Sequence, residues 1–128
     1  MKSFVRKAPT GVEESAAISM INQEGQLAAI ALSLHSKQPK RAVISCEKGY
    51  IEIMEYPRAD AAVIVDAATG ERETVQAGRA AEALVYELEG MEAAIRGEGD
   101  MLLPYTTDVM ALMTALRKEW GVVYPEEL

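Results

Sequence analysis

His35, the single histidine of the 128-residue chain, is the first side chain to consider for acid–base chemistry. It lies between Ser33 and Ser36, at the end of a strand-like run, and any mechanism that uses a histidine within this chain must use it. Lys37 follows, in a basic cluster suited to contact a phosphate or carboxylate. A solvated turn would have the same composition. His35 and Lys37 are therefore candidates for a substrate pocket, with an ordinary surface turn as the alternative.

Tyr105 is the third pocket candidate. It follows Pro104 where a helix is predicted to begin, and the free amides and the dipole of a helix start favour a carboxylate or phosphate ligand. The alternative is a tyrosine that packs beside a helix cap. Glu13 and Glu14 would point to opposite sides of a strand, which indicates a solvated edge and not an acid–base pair.

Sequence motifs for catalysis or cofactor binding are absent. The chain has no phosphate-binding loop, nucleophile elbow, zinc-protease motif or paired cysteines, and the Gly97-x-Gly99 pair ends a helical pattern instead of opening one. We therefore predict no catalytic, cofactor-binding or metal-binding residue in this chain.

Charge and composition exclude several classes of protein. The net charge is −7, with sixteen acidic and six basic residues after position 48, so nucleic acid is not an expected partner. The 49% apolar content is near the average for globular proteins, which does not suggest a membrane protein.

The single cysteine, Cys46, lies in an apolar run and is expected to be a buried thiol. Because no secretory signal follows Met1, we expect a cytoplasmic protein.

The first 76 residues read as β-hairpins. Apolar runs at Glu13–Ile21 and 26–34 flank Asn22-Gln23-Glu24-Gly25, and two further pairs follow: Arg41–Cys46 with 50–55, and Ala61–Asp66 with 71–76. Phe4 and Val5 suggest one more edge strand. The pattern predicts an antiparallel meander of about six strands.

After Gly78 the apolar period changes to that of a helix. The first predicted helix has an apolar stripe at Ala81, Leu84, Leu88, Met91 and Ile95, and it ends at residues 97–100. The second begins near Pro104 with a threonine as its cap, has Asp108 near its positive end, and stops at Gly121. Met101, Met110 and Met113 are expected to fill the core.

Strands followed by helices predict an α+β fold, in which two C-terminal helices cover one face of an open antiparallel sheet. The run 26–34 is apolar on both sides, whereas a half-solvated sheet alternates apolar with polar residues. We therefore expect its second face to mediate oligomerisation, with Leu27, Ala29 and Ala31 in the contact.

Four segments resemble the C-terminal domain of the glucose-fructose oxidoreductase and inositol dehydrogenase family, nearest its dihydrodiol dehydrogenase branch. They are 25–28 (GQLA), 47–53 (EKGYIEI), 86–92 (YELEGME) and 103–110 (LPYTTDVM). The resemblance covers residues 11–128. It implies an open sheet whose exposed face forms dimers or tetramers and whose edge helps to form the substrate pocket.

The resemblance also implies a parent protein with an N-terminal Rossmann domain for NAD or NADP, which is absent from this chain. His35 does not match the family's catalytic histidine, so no catalytic role is transferred. We therefore expect residues 1–128 to be a single domain, inactive alone, of an oxidoreductase that acts on a sugar, polyol or related secondary alcohol. The alternative is a stand-alone dimeric binding or scaffolding module without enzymatic activity.

Overall fold

The computed structural model describes residues 1–124 and shows an α+β chain of antiparallel strands followed by two helices. The strands are β1 (Lys2–Lys7), β2 (Glu13–Ile21), β3 (Leu27–Ser33), β4 (Arg41–Cys46), β5 (Gly49–Met54), β6 (Ala61–Asp66) and β7 (Arg72–Gln76). The helices are α1 (Ala83–Ile95) and α2 (Leu103–Glu119), and short 3-10 turns lie at Tyr56–Arg58 and Ala80–Glu82. The three predicted hairpins and the early edge strand are confirmed.

The strands form two open sheets, where the sequence had predicted one of about six strands. One sheet has the order β1-β2-β3 and the other β4-β5-β6-β7. After β3, the Ser33 hydroxyl accepts hydrogen bonds from the backbone N–H and hydroxyl of Ser36, which turns the chain. Pro39, which has no N–H to donate to a ladder, precedes β4. These local features separate the two hairpins that sequence alternation alone would join.

The chain divides into two compact units. The first contains 1–38 and the segment from 102 onward, hence β1–β3 and α2, whereas the second, Pro39–Met101, contains β4–β7 and α1. The prediction of a single domain stays a prediction.

In the first unit, the C-terminal end of α2 lies against β1. The Ser3 hydroxyl donates to Glu119 at 2.9 Å and accepts from Trp120 Nε1 at 2.9 Å, and Lys7 Nζ donates to the Gly121 carbonyl at 2.9 Å. Leu116 is buried in the same unit. Gly121 has a φ of 61°, and the following amide bonds the Arg117 carbonyl, so the predicted glycine stop of α2 is confirmed.

The start of α2 differs from the prediction. Leu102 is the N-cap in a left-handed conformation, and its apolar side chain makes no capping hydrogen bond. Thr107 donates back to the Leu103 carbonyl instead, and Asp108 lies beyond the first turn. Pro104 lies in the first turn, where its missing N–H costs nothing.

In the second unit, ion pairs cross one face of the sheet. Glu52 on β5 lies 3.8 Å from Arg41 and 3.2 Å from Arg72. On the opposite face, Ile44, Ile51 and Ile64 lie side by side across three strands. Two expectations for this unit are wrong, since Cys46 is exposed and the predicted stripe of α1 is not packed. No residue of α1 is buried.

Candidate functional site

The most unusual side chain in the first unit is Glu14, a buried carboxylate at an irregularity in the sheet. Arg6 pairs with Ser15 and Lys7 pairs with Glu13, which leaves Glu14 without a partner on β1. Such an extra residue is a β-bulge, which redirects a side chain locally and is frequent beside functional sites. The Glu14 side chain is only 10% exposed, so the predicted solvated edge is wrong at this position.

Both carboxylate oxygens of Glu14 have cationic or hydrogen-bonding partners. Oε1 lies 2.5 Å from His35 Nδ1 and Oε2 lies 3.0 Å from Arg6 Nε. A buried carboxylate requires such partners because water no longer solvates its charge. The backbone contributes too, since the Leu34 N–H donates to the Glu14 carbonyl and holds the end of β3 beside the bulge.

This contact fixes the orientation of His35. An imidazole whose Nδ1–H donates to a carboxylate directs its Nε2 away from that carboxylate. The His35 side chain is 83% exposed, so Nε2 is accessible for a hydrogen bond or proton transfer to a molecule from solvent. The sequence did not predict the Glu14–His35 pair, because the bulge that creates it depends on a shift in register with β1.

The three predicted pocket residues are not joined by a hydrogen bond or ion pair within residues 1–124. Lys37 is exposed in the turn after β3, and Tyr105 is exposed in the first turn of α2, not before it. The assignment of His35, Lys37 and Tyr105 to one substrate pocket stays a prediction.

One side of α2 has a shallow groove lined by threonines, alanines, a methionine and a lysine: Thr106, Thr107, Met110, Ala111, Thr114, Ala115 and Lys118. All of them belong to one helix, and the hydroxyls of Thr107 and Thr114 donate to carbonyls of that helix. Met101, Met110 and Met113 are exposed, so the prediction that they fill the core is wrong. Within the described part of the chain, no three histidine, cysteine or acidic side chains cluster as metal ligands, and no helix is long and apolar enough to cross a membrane.

The strand directions and the turn before α1 bear on dinucleotide binding. The seven strands in this part of the chain are antiparallel, so there is no parallel β-α-β unit. The turn between β7 and α1 carries Gly78, but the ring of Tyr86 lies 3.3 Å from where a Cβ of that glycine would be. A pyrophosphate needs a glycine-rich turn that is open to ligand.

A further candidate surface is one face of the β1–β3 sheet, which we call the bare face. Directly opposite residues share a face, so the register places Phe4, Ala17 and Ala31 together, and likewise Ile21 with Leu27. Ser3 lies on the other side, where it contacts the end of α2. The bare face consists of Lys2, Phe4, Arg6, Ser15, Ala17, Ser19, Ile21, Leu27, Ala29, Ala31 and Ser33.

The bare face exposes both its large and its small apolar residues. Phe4 is 80% exposed and Leu27 is 81% exposed, and Ala29 and Ala31 are exposed as well. The structure thus places all three predicted oligomer residues on this face. That they contact another subunit stays a prediction.

No protein-family model matches the chain, and no curated protein sequence matches it.

Proposed function

We propose that this chain is the C-terminal domain of an NAD(P)-dependent oxidoreductase that resembles the glucose-fructose oxidoreductase and inositol dehydrogenase family, nearest its dihydrodiol dehydrogenase branch. The parent enzyme acts on a sugar, polyol or related secondary alcohol in the cytoplasm. NAD or NADP is held by a separate Rossmann domain. This chain forms the homo-oligomer and contributes one wall of the substrate pocket, and it is not catalytic alone. The α+β order and the four sequence segments support this proposal.

The observation that carries the proposal is the bare face of the β1–β3 sheet. A sheet that faces water on one side has mostly polar residues there, whereas this face exposes Phe4, Ile21 and Leu27 around alanines and serines, with Lys2 and Arg6 on its β1 side. Small side chains let a second sheet approach closely, and the large apolar ones gain from leaving water. A surface of this composition suits a contact between subunits.

The total accessible surface agrees with the need for a partner. The chain exposes 10621 Å². A folded protein of 13.9 kDa exposes about 6,700 Å², and two separate domains of half that mass expose about 8,000 Å² together. The exposed surface of the chain is larger than both of these values. Because it exceeds even the value for two independent domains, the units themselves leave surface uncovered, and the excess does not come only from their separation.

The candidate pocket residues have a defined role in this proposal. His35 presents Nε2 outward while Glu14 holds Nδ1, which suits it to contact a substrate hydroxyl at the wall of a pocket. Lys37 and Tyr105 add a cation and a phenol on the same unit. The catalytic groups themselves belong to the missing part of the parent enzyme.

Two measurements test this proposal. An antibody raised to the chain should detect, in extracts of the native cell, a species heavier by a nucleotide-binding domain of about 100 to 200 residues. That full-length protein should quench or enhance NAD(P)H fluorescence, and the isolated 128-residue chain should not. Oxidation of a polyol by the isolated chain with NAD(P) would overturn the proposal.

The bare face also favours a second candidate, a stand-alone module that dimerises through its sheet and binds or scaffolds without catalysis, because such a module needs no further domain. An immunoblot species of 13.9 kDa would support this alternative and contradict the first. A strand, glycine-rich turn and helix encoded in frame upstream of Met1 would exclude it.

A further inference from the structure

Strand β3 is an edge of its sheet, and the backbone groups on its outer side can be assigned from the ladder. The Leu34 N–H donates to the Glu14 carbonyl, and the Asn22 N–H donates to the Gln26 carbonyl. In an antiparallel ladder the bonded pairs recur at every second residue. Even-numbered residues of β3 therefore bond to β2, and the N–H and C=O groups of Leu27, Ala29, Ala31 and Ser33 point outward.

Among residues 1–124, one of these outward groups has a partner. The Gln38 side-chain amide donates to the Ala31 carbonyl at 2.9 Å, which is the bond that the N–H of an added strand would make. None of the strands described in residues 1–124 pairs with this edge. The other outward groups of β3 are available to an added strand.

The two edges of this sheet differ in charge. Strand β1 carries Lys2, Arg6 and Lys7, and charged side chains are a common means of preventing an edge strand from pairing. Strand β3 reads Leu-Ala-Ala-Ile-Ala-Leu-Ser and carries no charge or proline. All of its residues except Ser33 are exposed. It is therefore the edge that a further strand can join.

We propose that β3 pairs antiparallel with β3 of a second copy, about a two-fold axis at Ile30. This register sets Ala29 opposite Ala31 of the second copy and Leu27 opposite Ser33, so the outward N–H and C=O groups of each strand face those of the other. Ala28 then lies opposite Leu32, and Ile30 meets its own equivalent. Two three-stranded sheets become one sheet of six strands.

The choice of a second copy follows from the symmetry of the strand. Self-pairing about a two-fold axis brings each residue near its own counterpart, so any charge near the centre would repel itself. β3 has none, and its small residues meet small or apolar ones throughout. The Gln38 amide is displaced when the Ala29 N–H of the second copy takes the Ala31 carbonyl.

This pairing rests on the self-association in the proposed function and specifies a second contact for it. The bare face contains the side chains of Leu27, Ala29 and Ala31, whereas the edge uses their backbone groups. Joining two edges also merges two bare faces into one larger apolar surface. The edge and the face are nevertheless separable by substitution.

Amide exchange of the unmodified chain is the first test. The outward amides of Leu27, Ala29, Ala31 and Ser33 should exchange more slowly with deuterium at high protein concentration than at low concentration. The inward amides of Ala28, Ile30 and Leu32 serve as internal references, since they bond to β2 in either state. Outward amides that exchange rapidly at every concentration, in a chain that is oligomeric, would overturn the edge pairing.

Charge-swapped variants are the second test. Ile30→Lys and Ile30→Glu should each raise the dimer dissociation constant roughly tenfold or more by juxtaposing like charges on the axis, and mixing them should restore a heterodimer. Val12→Lys is the matched control, because Val12 and Ile30 are both 38% exposed and Val12 lies off β3. Circular dichroism verifies the fold of each variant. Dimers of either single variant with wild-type affinity, or a mixture that stays monomeric, would contradict the proposal.

Failure of the edge and failure of the face give different results. Phe4→Asp changes the bare face on β1, far in the sheet order from the β3 edge. If Phe4→Asp disrupts the oligomer and the Ile30 variants do not, the edge proposal is wrong and the face contact stands. If the Phe4→Asp protein is still a dimer and its outward amides exchange slowly, the result supports the edge contact alone. Protection of those amides in a chain that light scattering shows to be monomeric would indicate a partner strand within the same chain and contradict pairing between copies.

Discussion

The charge on Glu14 is tolerated in the sheet because its two oxygens are shared between two different elements. Arg6 comes from β1 and His35 from the turn after β3, so one carboxylate joins three consecutive segments of the meander. Both partners are largely exposed while the carboxylate is not. The arrangement therefore places the desolvation cost on Glu14 and leaves the side chains of Arg6 and His35 in water.

Replacing this carboxylate with an amide tests its structural role. Glu14→Gln keeps the size of the side chain but weakens the bonds to Arg6 and His35, and we expect a loss of about 1 to 3 kcal/mol in the free energy of unfolding. Denaturant titration gives this value. Glu24→Gln, in the exposed turn between β2 and β3, is the control and should change little. Equal midpoints for the two variants would show that the Glu14 contacts do not stabilise the fold.

Asp66 determines the turn between β6 and β7, and its stabilising effect depends on pH. Its carboxylate accepts from the backbone N–H of Thr69 at 2.8 Å, from that of Ala68 at 2.8 Å, and from the Thr69 hydroxyl at 3.2 Å. The Thr69 backbone bond, followed by the other two, lowers the pKa of Asp66 below its ordinary value of 3.8. The carboxylate form is the one that the turn stabilises.

The folded-state pKa of Asp66 is the lower one, so its contribution is complete above the unfolded pKa and disappears as pH falls through the folded pKa. Asp66→Ala should therefore lower the melting temperature at neutral pH, and the difference from wild type should shrink below pH 3.8. Thermal melts across this range measure the effect. Asp108→Ala, on the exposed surface of α2, is the control. A difference that stays constant down to the lowest pH at which both proteins fold would contradict the prediction.

The two helices show how the same apolar pattern leads to different burial. Leu116 on α2 is 5% exposed, whereas Leu88, in the predicted stripe of α1, is 62% exposed. Leu116→Ala should cost about 2 to 5 kcal/mol, because it removes a buried side chain and leaves a cavity. Leu88→Ala should change stability by less than about 0.5 kcal/mol. Urea denaturation compares the two. An equal cost at both sites would mean that the stripe of α1 is covered in solution.

Much of the fold could be predicted because strands, turns and helix periods are local properties. The Asn22 side chain, for example, accepts from the N–H groups of Glu24 and Gln26 and closes the first predicted hairpin within five residues. The predictions that were wrong concern features that depend on segments distant in the sequence. The exposure of Cys46 and Met113 depends on which surfaces the rest of the chain covers, which an apolar pattern does not specify.

The candidate site was less predictable than the fold. His35 was identified from its residue type, but its partner Glu14 lies 21 positions away and is selected by a bulge against β1. The start of α2 differs for a similar reason, since Leu102 adopts a φ of 52° that no local preference of leucine would predict. The one available signal for Glu14 was its position beside Glu13 at the start of a strand-like run.

At the scale of the whole molecule, several apolar surfaces face water, and the bare face is the one whose partner can be tested most directly. Phe4→Asp and Leu27→Asp each place a charge in the proposed face contact, so each should remove that contact and lower the mass of the oligomer, leaving at most a folded dimer joined through the β3 edge, because a charge in a dry contact loses its water without gaining a partner. Light scattering measures the mass. Leu34→Asp is the matched control, since Leu34 is as exposed as Leu27, at 84% against 81%, but its backbone pairing with Glu14 places it on the opposite side of the sheet. If the Leu34 variant has a lower mass and the other two keep the wild-type mass, the shared surface is the helix side of the sheet, and the proposed role of the bare face is wrong.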